Sequence, residues 1–378
     1  MMRVLLLSDS YDGGGAEAVF RDTLKASRDA GFQTDYFVPI QKVDALSYIF
    51  SLSNYRKIRA RLSTFRPDII HLHNYYHFLS PSVLLAIRQY KSESGCKVIY
   101  TAHDFHLLCP NSGFQYFLKG ERINFSSRYN NVRLRYVFDH RSRVHSMLKV
   151  LQHFVAYRLL RLRNVLDVII TPGEFMRTVM CRYDITTPTE VVRNPVEMCD
   201  IPAERAPEGH TLQLVYAGRL SPEKGLIEFL HKLNKETTQD ITFHVYGEGI
   251  ILNALEKFPC RKGLSIHLHG KMDRRRLMAE IANHDIFVLP SVWYENSPVS
   301  LIEAAYAGLP LLVPGYGGLM EMARESVHYF TFEYTDGDGE LQELLRYAAR
   351  YRGKNRLINA GQFSGDYYRK RIVDIYLH

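Results

Sequence analysis

Two glutamates raise the first chemical question. In Val292-Trp-Tyr-Glu-Asn-Ser-Pro-Val-Ser-Leu-Ile-Glu-Ala304, Glu295 precedes a helix start at Asn296-Ser297-Pro298, and Glu303 falls eight positions later among Leu301, Ile302, Ala304 and Ala305. A carboxylate inside such an apolar run is costly unless a partner or a ligand meets it. At about 100° per residue the spacing would bring both within about 80° of one another, so the two could line one pocket. A capping Glu295 and a solvent-facing Glu303 are the plainer alternative. Cations are at hand in Ala217-Gly-Arg-Leu-Ser-Pro-Glu-Lys-Gly225, which joins a strand to a helix start. The planar fork of Arg219 and the point charge of Lys224 suit two oxygens of a diphosphate, although two solvated loop residues would look the same. Gly13-Gly-Gly15 also leads from a strand into a helix, and its open backbone could cradle an anion or simply turn. Ala18 stands where a dinucleotide fingerprint requires its third glycine, which argues against a nicotinamide cofactor. His103-Asp104 closes a further strand. Its imidazole could bond a sugar hydroxyl or share developing positive charge, or serve the structure alone.

The elements that would position these residues alternate between strand and helix, twice over. Strands are expected at 3–8, 35–40, 68–73, 97–102 and 167–171, with helices at 16–30, 55–65, 82–90 and 142–163 and an irregular stretch at 107–138. Pro202, Pro207 and Gly209 read as a linker. A second series follows, with strands at 213–217, 241–246, 264–269, 285–289 and 309–313 and helices at 226–235, 274–283 and 298–307. Helical crossovers imply parallel strands. At 378 residues the chain has room for two such domains, 1–195 and 196–361, with a helix at 362–378 crossing back onto the first. Doubly wound sheets bind ligands beyond the carboxyl ends of their strands, so two of them facing each other would make a cleft.

Composition narrows the class. Apolar residues form 46% of the chain and charged residues 23%, which excludes a disordered protein. No run approaches a membrane span, and the first strand is too short for a signal segment, so a cytoplasmic protein is expected. Five scattered cysteines with no C-x-x-C pair argue against disulfides and zinc. The net charge of +8 is concentrated early: residues 1–195 hold 27 Lys and Arg against 16 Asp and Glu. Eleven of those cations lie in 119–163, opposed only by Glu121 and Asp139. That segment calls for an anionic partner. Phe125, Tyr129, Tyr136, Phe138, Leu148, Phe154 and Tyr157 are interleaved with the cations, as in an interfacial helix on an acidic leaflet. A helix packed on the core with solvated arginines fits equally. No RRM, KH or helix-turn-helix pattern appears, so nucleic acid is not the expected partner.

Taken in order, the motifs resemble the retaining glycosyltransferases of family 4, which have the two-Rossmann GT-B fold. The resemblance rests on Gly13-Gly-Gly-Ala-Glu17, on His103-Asp104 with Phe105-His-Leu-Leu-Cys-Pro110, on Gly218-Arg219 with Lys224-Gly225, on Tyr246-Gly-Glu-Gly249, and on Glu295 and Glu303, which match the family's E-x7-E signature. It implies that Glu295 touches the donor sugar, Glu303 holds the ribose hydroxyls, and Arg219 and Lys224 bind the diphosphate with the amides of Gly14, Gly15, Val299 and Ser300. His103 would contact the sugar, and backbone groups around Tyr246, Gly247, Lys271 and Met272 would hold a uracil or guanine base. Glu17, Asp104 and residues 107–143 would border a glycan or lipid-linked acceptor. The implied reaction is transfer from a UDP- or GDP-sugar with retention, by front-face departure, in assembling bacterial surface polysaccharide such as lipopolysaccharide, O-antigen or capsule. The enzyme would be cytoplasmic, peripheral on the inner face of the membrane. No cofactor or metal is expected, since fixed cations neutralise the leaving group and Asp336-Gly-Asp338 reads as a turn. A nucleotide-sugar epimerase of the same fold is the main rival, and an inactive scaffold another.

Overall fold

The computed structural model describes residues 1–39, 44–128, 132–133, 135–198, 211–335 and 339–378. Ile40, Tyr129, Cys199, the linker residues Pro202, Pro207 and Gly209, and Asp336-Gly-Asp338 lie outside the described residues. The chain forms two compact units, 1–195 with 362–378, and 196–361.

The first unit carries a parallel sheet built from β1 (Arg3–Leu7), β2 (Gln33–Phe37), β3 (Ile69–Leu72), β4 (Lys97–Thr101), β7 (Val168–Thr171) and β8 (Thr189–Val191), in the order β2-β1-β3-β4-β7-β8. Between β4 and β7 runs an antiparallel hairpin, β5 (Gln115–Leu118) and β6 (Glu121–Asn124). The central strands β1, β3 and β4 read as unbroken apolar runs because helices cover both faces, and nearly all of their side chains are buried. Val4, Leu6, Phe20, Leu24, Ile69, Ile99 and Ile170 form one core. The helix Gly365–Leu377 completes that core with Tyr368, Ile372, Ile375 and Tyr376, spaced four, three and one apart on one face.

The second unit carries a parallel sheet of β9 (Leu212–Ala217), β10 (Ile241–Tyr246), β11 (Leu264–Gly270), β12 (Ile286–Val288), β13 (Leu311–Pro314) and β14 (Tyr329–Phe332), in the order β11-β10-β9-β12-β13-β14. Strand order reverses between β9 and β12 here, and between β1 and β3 in the first unit. These are the points where doubly wound sheets take ligands.

Several expectations need correcting. The stretch 107–138 holds a hairpin, turned by Lys119-Gly120 with both residues at positive φ. The helix expected over 142–163 is α-helical only at Arg143–His153; it relaxes to a π-turn at Phe154–Leu159, breaks at Arg161 (φ 49°) and restarts as a 3-10 turn, Leu162–Val165. Of the aromatics proposed there for an interface, Phe125, Phe138 and Tyr157 are buried, and Phe154 is exposed. Helices at Ala45–Ile49, Glu174–Arg182, Gly317–Ala323 and Glu340–Ala349 and strands β8 and β14 had no counterpart in the sequence reading.

Candidate active site

At the reversal of the second sheet, the loop after β9 meets the loop after β12. Gly225 (φ 69°) sits so close to the Pro290 carbonyl that a Cβ would overlap it, so a glycine is required for the two loops to touch. Gly318 presses in the same way on the backbone of Glu295 and Asn296 from the helix Gly317–Ala323. The Val292 amide donates to the Glu223 carbonyl (3.0 Å), and Tyr316 Oη donates to the Ser291 carbonyl (2.7 Å).

This scaffold puts Lys224 Nζ at 2.5 Å from Glu295 Oε1, which also accepts from Ser291 Oγ at 2.6 Å. The Lys224 ammonium lies 5.6 Å from the centre of the Trp293 ring. Burial opposes ionisation of Glu295, but the Lys224 charge, together with hydrogen bonds from Lys224 and Ser291, outweighs it and holds the carboxyl below its usual range. Glu295 is therefore a buried carboxylate. Arg219, by contrast, is largely exposed and only loosely paired with Glu223 at 3.6 Å.

Glu303 behaves differently. It pairs with Arg274 (Nη2 to Oε1 2.7 Å), the first residue of the helix Arg274–Ile281. Burial raises its carboxyl above the ordinary value, with Arg274 pulling the other way. The helix-face argument linking Glu295 to Glu303 does not hold, because the helix runs from Val299 to Tyr306 and Glu295 stands in the loop before it. The two carboxylates serve separate ion pairs. That helix has no side-chain cap, since Pro298 occupies the N-cap, so the leading amides at Val299 and Ser300 face outward from an uncapped terminus.

The backbone expected to hold a base is partly committed. Gly247 N donates to Gly270 O (2.8 Å), and Tyr246 O accepts from Gly218 N (3.0 Å), extending the sheet. The Tyr246 ring stacks on His269, with centroids 4.3 Å apart. Lys271 and Met272 lie between β11 and the helix whose N-cap, Asp273, accepts from Arg276 N at 3.1 Å.

In the first unit the corresponding residues are bound to their neighbours. Glu17 Oε2 accepts from Gly14 N at 2.8 Å, folding back onto the N-cap of the helix Gly15–Asp29. The Gly14 amide expected to meet a phosphate is thereby occupied, and Glu17 turns onto that terminus. Asp9 bridges the loops after β1 and β3, accepting from the amides of His77, Phe78 and Leu79 at 2.7–2.9 Å. His103 Nε2 lies 2.9 Å from His73 Nδ1, and His73 stacks in turn on His71, which contacts Tyr376 Oη (2.7 Å) and Thr101 Oγ1 (2.8 Å). Burial pushes His103 down to about 4 and His71 to about 3, and holds His73 well below its usual value, so all three rings are neutral. His73 Nε2 is buried without a hydrogen-bond partner. The tautomer that avoids stranding a proton there carries it on Nδ1 and donates it to His103. Asp104 accepts from Tyr76 Oη and from His106 N (2.9 Å); burial raises its carboxyl, against those hydrogen bonds.

Sequence reasoning missed Arg274, Ser291, His73 and Tyr76. Only Arg274 carried a signal, as the first of three consecutive arginines after β11. Ser291 stands only four residues before Glu295, where a lone serine gives no signal, and His73 and Tyr76 depend on contacts with His103 and Asp104 in another loop. Among the described residues no group of three or more His, Cys, Asp or Glu is arranged to hold a metal.

Comparison with known proteins fits this architecture. The family described as Glycosyltransferase Family 4 matches residues 13–198, and that described as Glycosyl transferases group 1 matches residues 211–349. A glycogen synthase of Mycobacterium tuberculosis is 32% identical over 138 residues, covering 35% of this chain and 33% of the relative. An Escherichia coli UDP-Gal:alpha-D-GlcNAc-diphosphoundecaprenol alpha-1,3-galactosyltransferase is 28% identical over 134 residues, 34% of each chain. The matched stretches thus span about a third of these relatives. The crystal structure of Anabaena Alr3699/HepE in complex with UDP and glucose superposes over 99% of both chains with a TM-score of 0.63 at 15% identity, a likeness of fold. With two parallel six-stranded sheets of GT-B type and two glycosyltransferase domains in tandem, the chain belongs to the family-4 glycosyltransferases.

Proposed function

We propose that this glycosyltransferase moves a sugar, with retention of anomeric configuration and without a metal, from a UDP-sugar to a hydroxyl of a glycan or lipid-linked glycan in surface-polysaccharide assembly. The observation that carries the reading is the Lys224–Glu295 pair beside exposed Arg219, at the reversal point of the second sheet. Departure of a nucleoside diphosphate builds negative charge on phosphate, and preset cations and helix amides stabilise it where it forms. Arg219, the uncapped Val299–Ser300 terminus and Lys224 supply those groups. As the diphosphate draws on Lys224, Glu295 gains capacity to accept hydrogen bonds from sugar hydroxyls. Glu303, backed by Arg274, accepts from the ribose hydroxyls. Gly15 and His103 keep, within the same proposal, the donor-side roles the family resemblance implies, Gly14 joins them when Glu17 releases its amide, and Glu17 and Asp104 take the acceptor-side ones. The acceptor hydroxyl loses its proton to the leaving phosphate.

The choice of UDP is supported by the UDP named for the galactosyltransferase and for the Anabaena structure, GDP being the alternative. The polysaccharide setting is supported by the lipid-diphosphate acceptor in the galactosyltransferase's name. We also propose a peripheral position on an anionic membrane through the basic segment 119–163. No helix among the described residues is long and apolar enough to cross a membrane.

Thermal-shift titration with UDP- and GDP-sugars, followed by transfer assays in EDTA with the product anomer read by NMR, tests the reading. UDP-sugar stabilisation, transfer that survives EDTA and a retained anomer are expected. Epimerised donor without transfer, or activity abolished by EDTA, overturns it.

A further inference from the structure

The helix Arg143–His153 is amphipathic the wrong way round. Its buried residues are polar: Ser146 accepts from Phe138 N at 2.8 Å, Gln152 Nε2 donates to the Tyr48 and Tyr76 carbonyls at 2.6 and 2.8 Å, and His153 is buried beside it. Lys149 turns inward as well, 3.1 Å from buried Asp139, which also holds Arg141. On the outside, Val144, Met147 and Leu151 are 65%, 69% and 46% exposed, and Phe154, where the π-turn begins, is 45% exposed. Steps of three, four and three residues align these four in one stripe. A helix at a protein–water boundary is built the other way about, and a contiguous exposed apolar stripe marks a surface that meets something apolar.

The charge around the stripe selects the occupant. Residues 140–165 contain no Asp or Glu, while Arg143 and Arg158 are exposed along the stripe and Arg161 lies beyond it. A second copy of this face would set like charges against each other. A bilayer of anionic lipid offers both required chemistries at the right depths, phosphate for the guanidinium groups and acyl chain beneath for the apolar side chains. We propose that the stripe Val144, Met147, Leu151 and Phe154 is a shallow anchor that seats the first unit on an anionic leaflet. This deepens the membrane reading given above and replaces the aromatic face anticipated from sequence, of which Phe125, Phe138 and Tyr157 are buried. It does not depend on the sugar chemistry.

The test is flotation of the full chain with vesicles of phosphatidylcholine alone and of phosphatidylcholine with an equal part of phosphatidylglycerol. The protein should float with the second and not the first. Met147→Gln with Leu151→Gln, both exposed sites whose charge is unchanged, should lower vesicle partitioning about tenfold, consistent with the loss of buried apolar area. UDP-induced thermal stabilisation of that variant should match wild type, which separates failure of the anchor from failure of the donor site. Leu151→Trp should give emission that shifts to the blue on phosphatidylglycerol vesicles, beyond any change in wild type. Equal flotation with both vesicle types, undiminished partitioning of the glutamine variant, or no blue shift overturns the proposal. So does a wild-type dimer that the glutamine variant converts to monomer while flotation stays the same.

Discussion

The two sheet-reversal points are built alike and equipped differently. In the first unit the loops after β1, β3 and β4 are knitted by buried, mostly uncharged groups: Asp9 on three amides, a file of neutral histidines, and Asp104 under Tyr76. In the second unit the loops after β9 and β12 carry two ion pairs, Lys224–Glu295 and Arg274–Glu303, with Arg219 open beside the first. The same strand–helix geometry therefore supplies a buried hydrogen-bond network in one unit and a switchable set of charges in the other. Neutral hydrogen-bonding groups suit hydroxyl recognition, whereas paired charges can exchange partners when an anion arrives.

Breaking the second-unit pair should have the largest effect. Glu295→Gln is expected to lower transfer about a hundred- to a thousandfold while UDP still raises the melting temperature, measured by turnover and thermal shift. Lys224→Met should lose as much activity and also about 3 kcal/mol of stability in urea unfolding, because Glu295 is left buried and uncompensated; adding Glu295→Gln should restore most of that stability and none of the activity. Equal destabilisation in the single and double variants would deny the pair its buried character.

The neutral file in the first unit should respond to acid. His103 has a folded pKa of about 4, below the unfolded value, so between about pH 6.5 and pH 4 the unfolded chain binds a proton that the folded chain refuses. Stability is then full above that window and declines as pH falls through it, by on the order of 3 kcal/mol from this group by its lower edge. Urea midpoints at about pH 7 and about pH 5 should differ in that direction, and His103→Asn should flatten the slope.

Smaller effects sharpen the contrast. Glu17→Ala removes the carboxylate that accepts from the Gly14 amide at the helix start and should cost about 0.5 to 1 kcal/mol, read as a lower melting temperature with little change in donor affinity. Arg219→Ala, at an exposed site, should leave stability unchanged and raise the donor KM by about threefold to tenfold.

Much of this was legible in the residues. Buried parallel strands announce themselves as apolar runs such as Val4–Leu7, and Glu303 stood out because its neighbours are apolar. Glu295 and Lys224 were each found by motif, but their pairing was not, since Lys224 reaches Glu295 only through a loop contact that Gly225 permits. Edge strands β8 and β14 carry half-exposed, mixed patterns that periodicity does not separate from loop. The hairpin's Lys119-Gly120 turn was readable, yet its strands are too short and polar to outweigh their irregular surroundings. The inverted helix defeats pattern reading: the sequence pointed to Leu148, Phe154 and Tyr157, whereas the exposed stripe is Val144, Met147, Leu151 and Phe154, and Tyr157 is buried.

The helix Gly365–Leu377 has a consequence for synthesis. Its tyrosines and isoleucines fill a core whose other walls lie within the first two hundred residues, and the second unit is made in between. On the ribosome the earlier unit must therefore wait, with one wall of its interior open, while the later one can already close. Order of translation and order of completion are reversed, and a chain cut before Gly365 would strand the half that was made first.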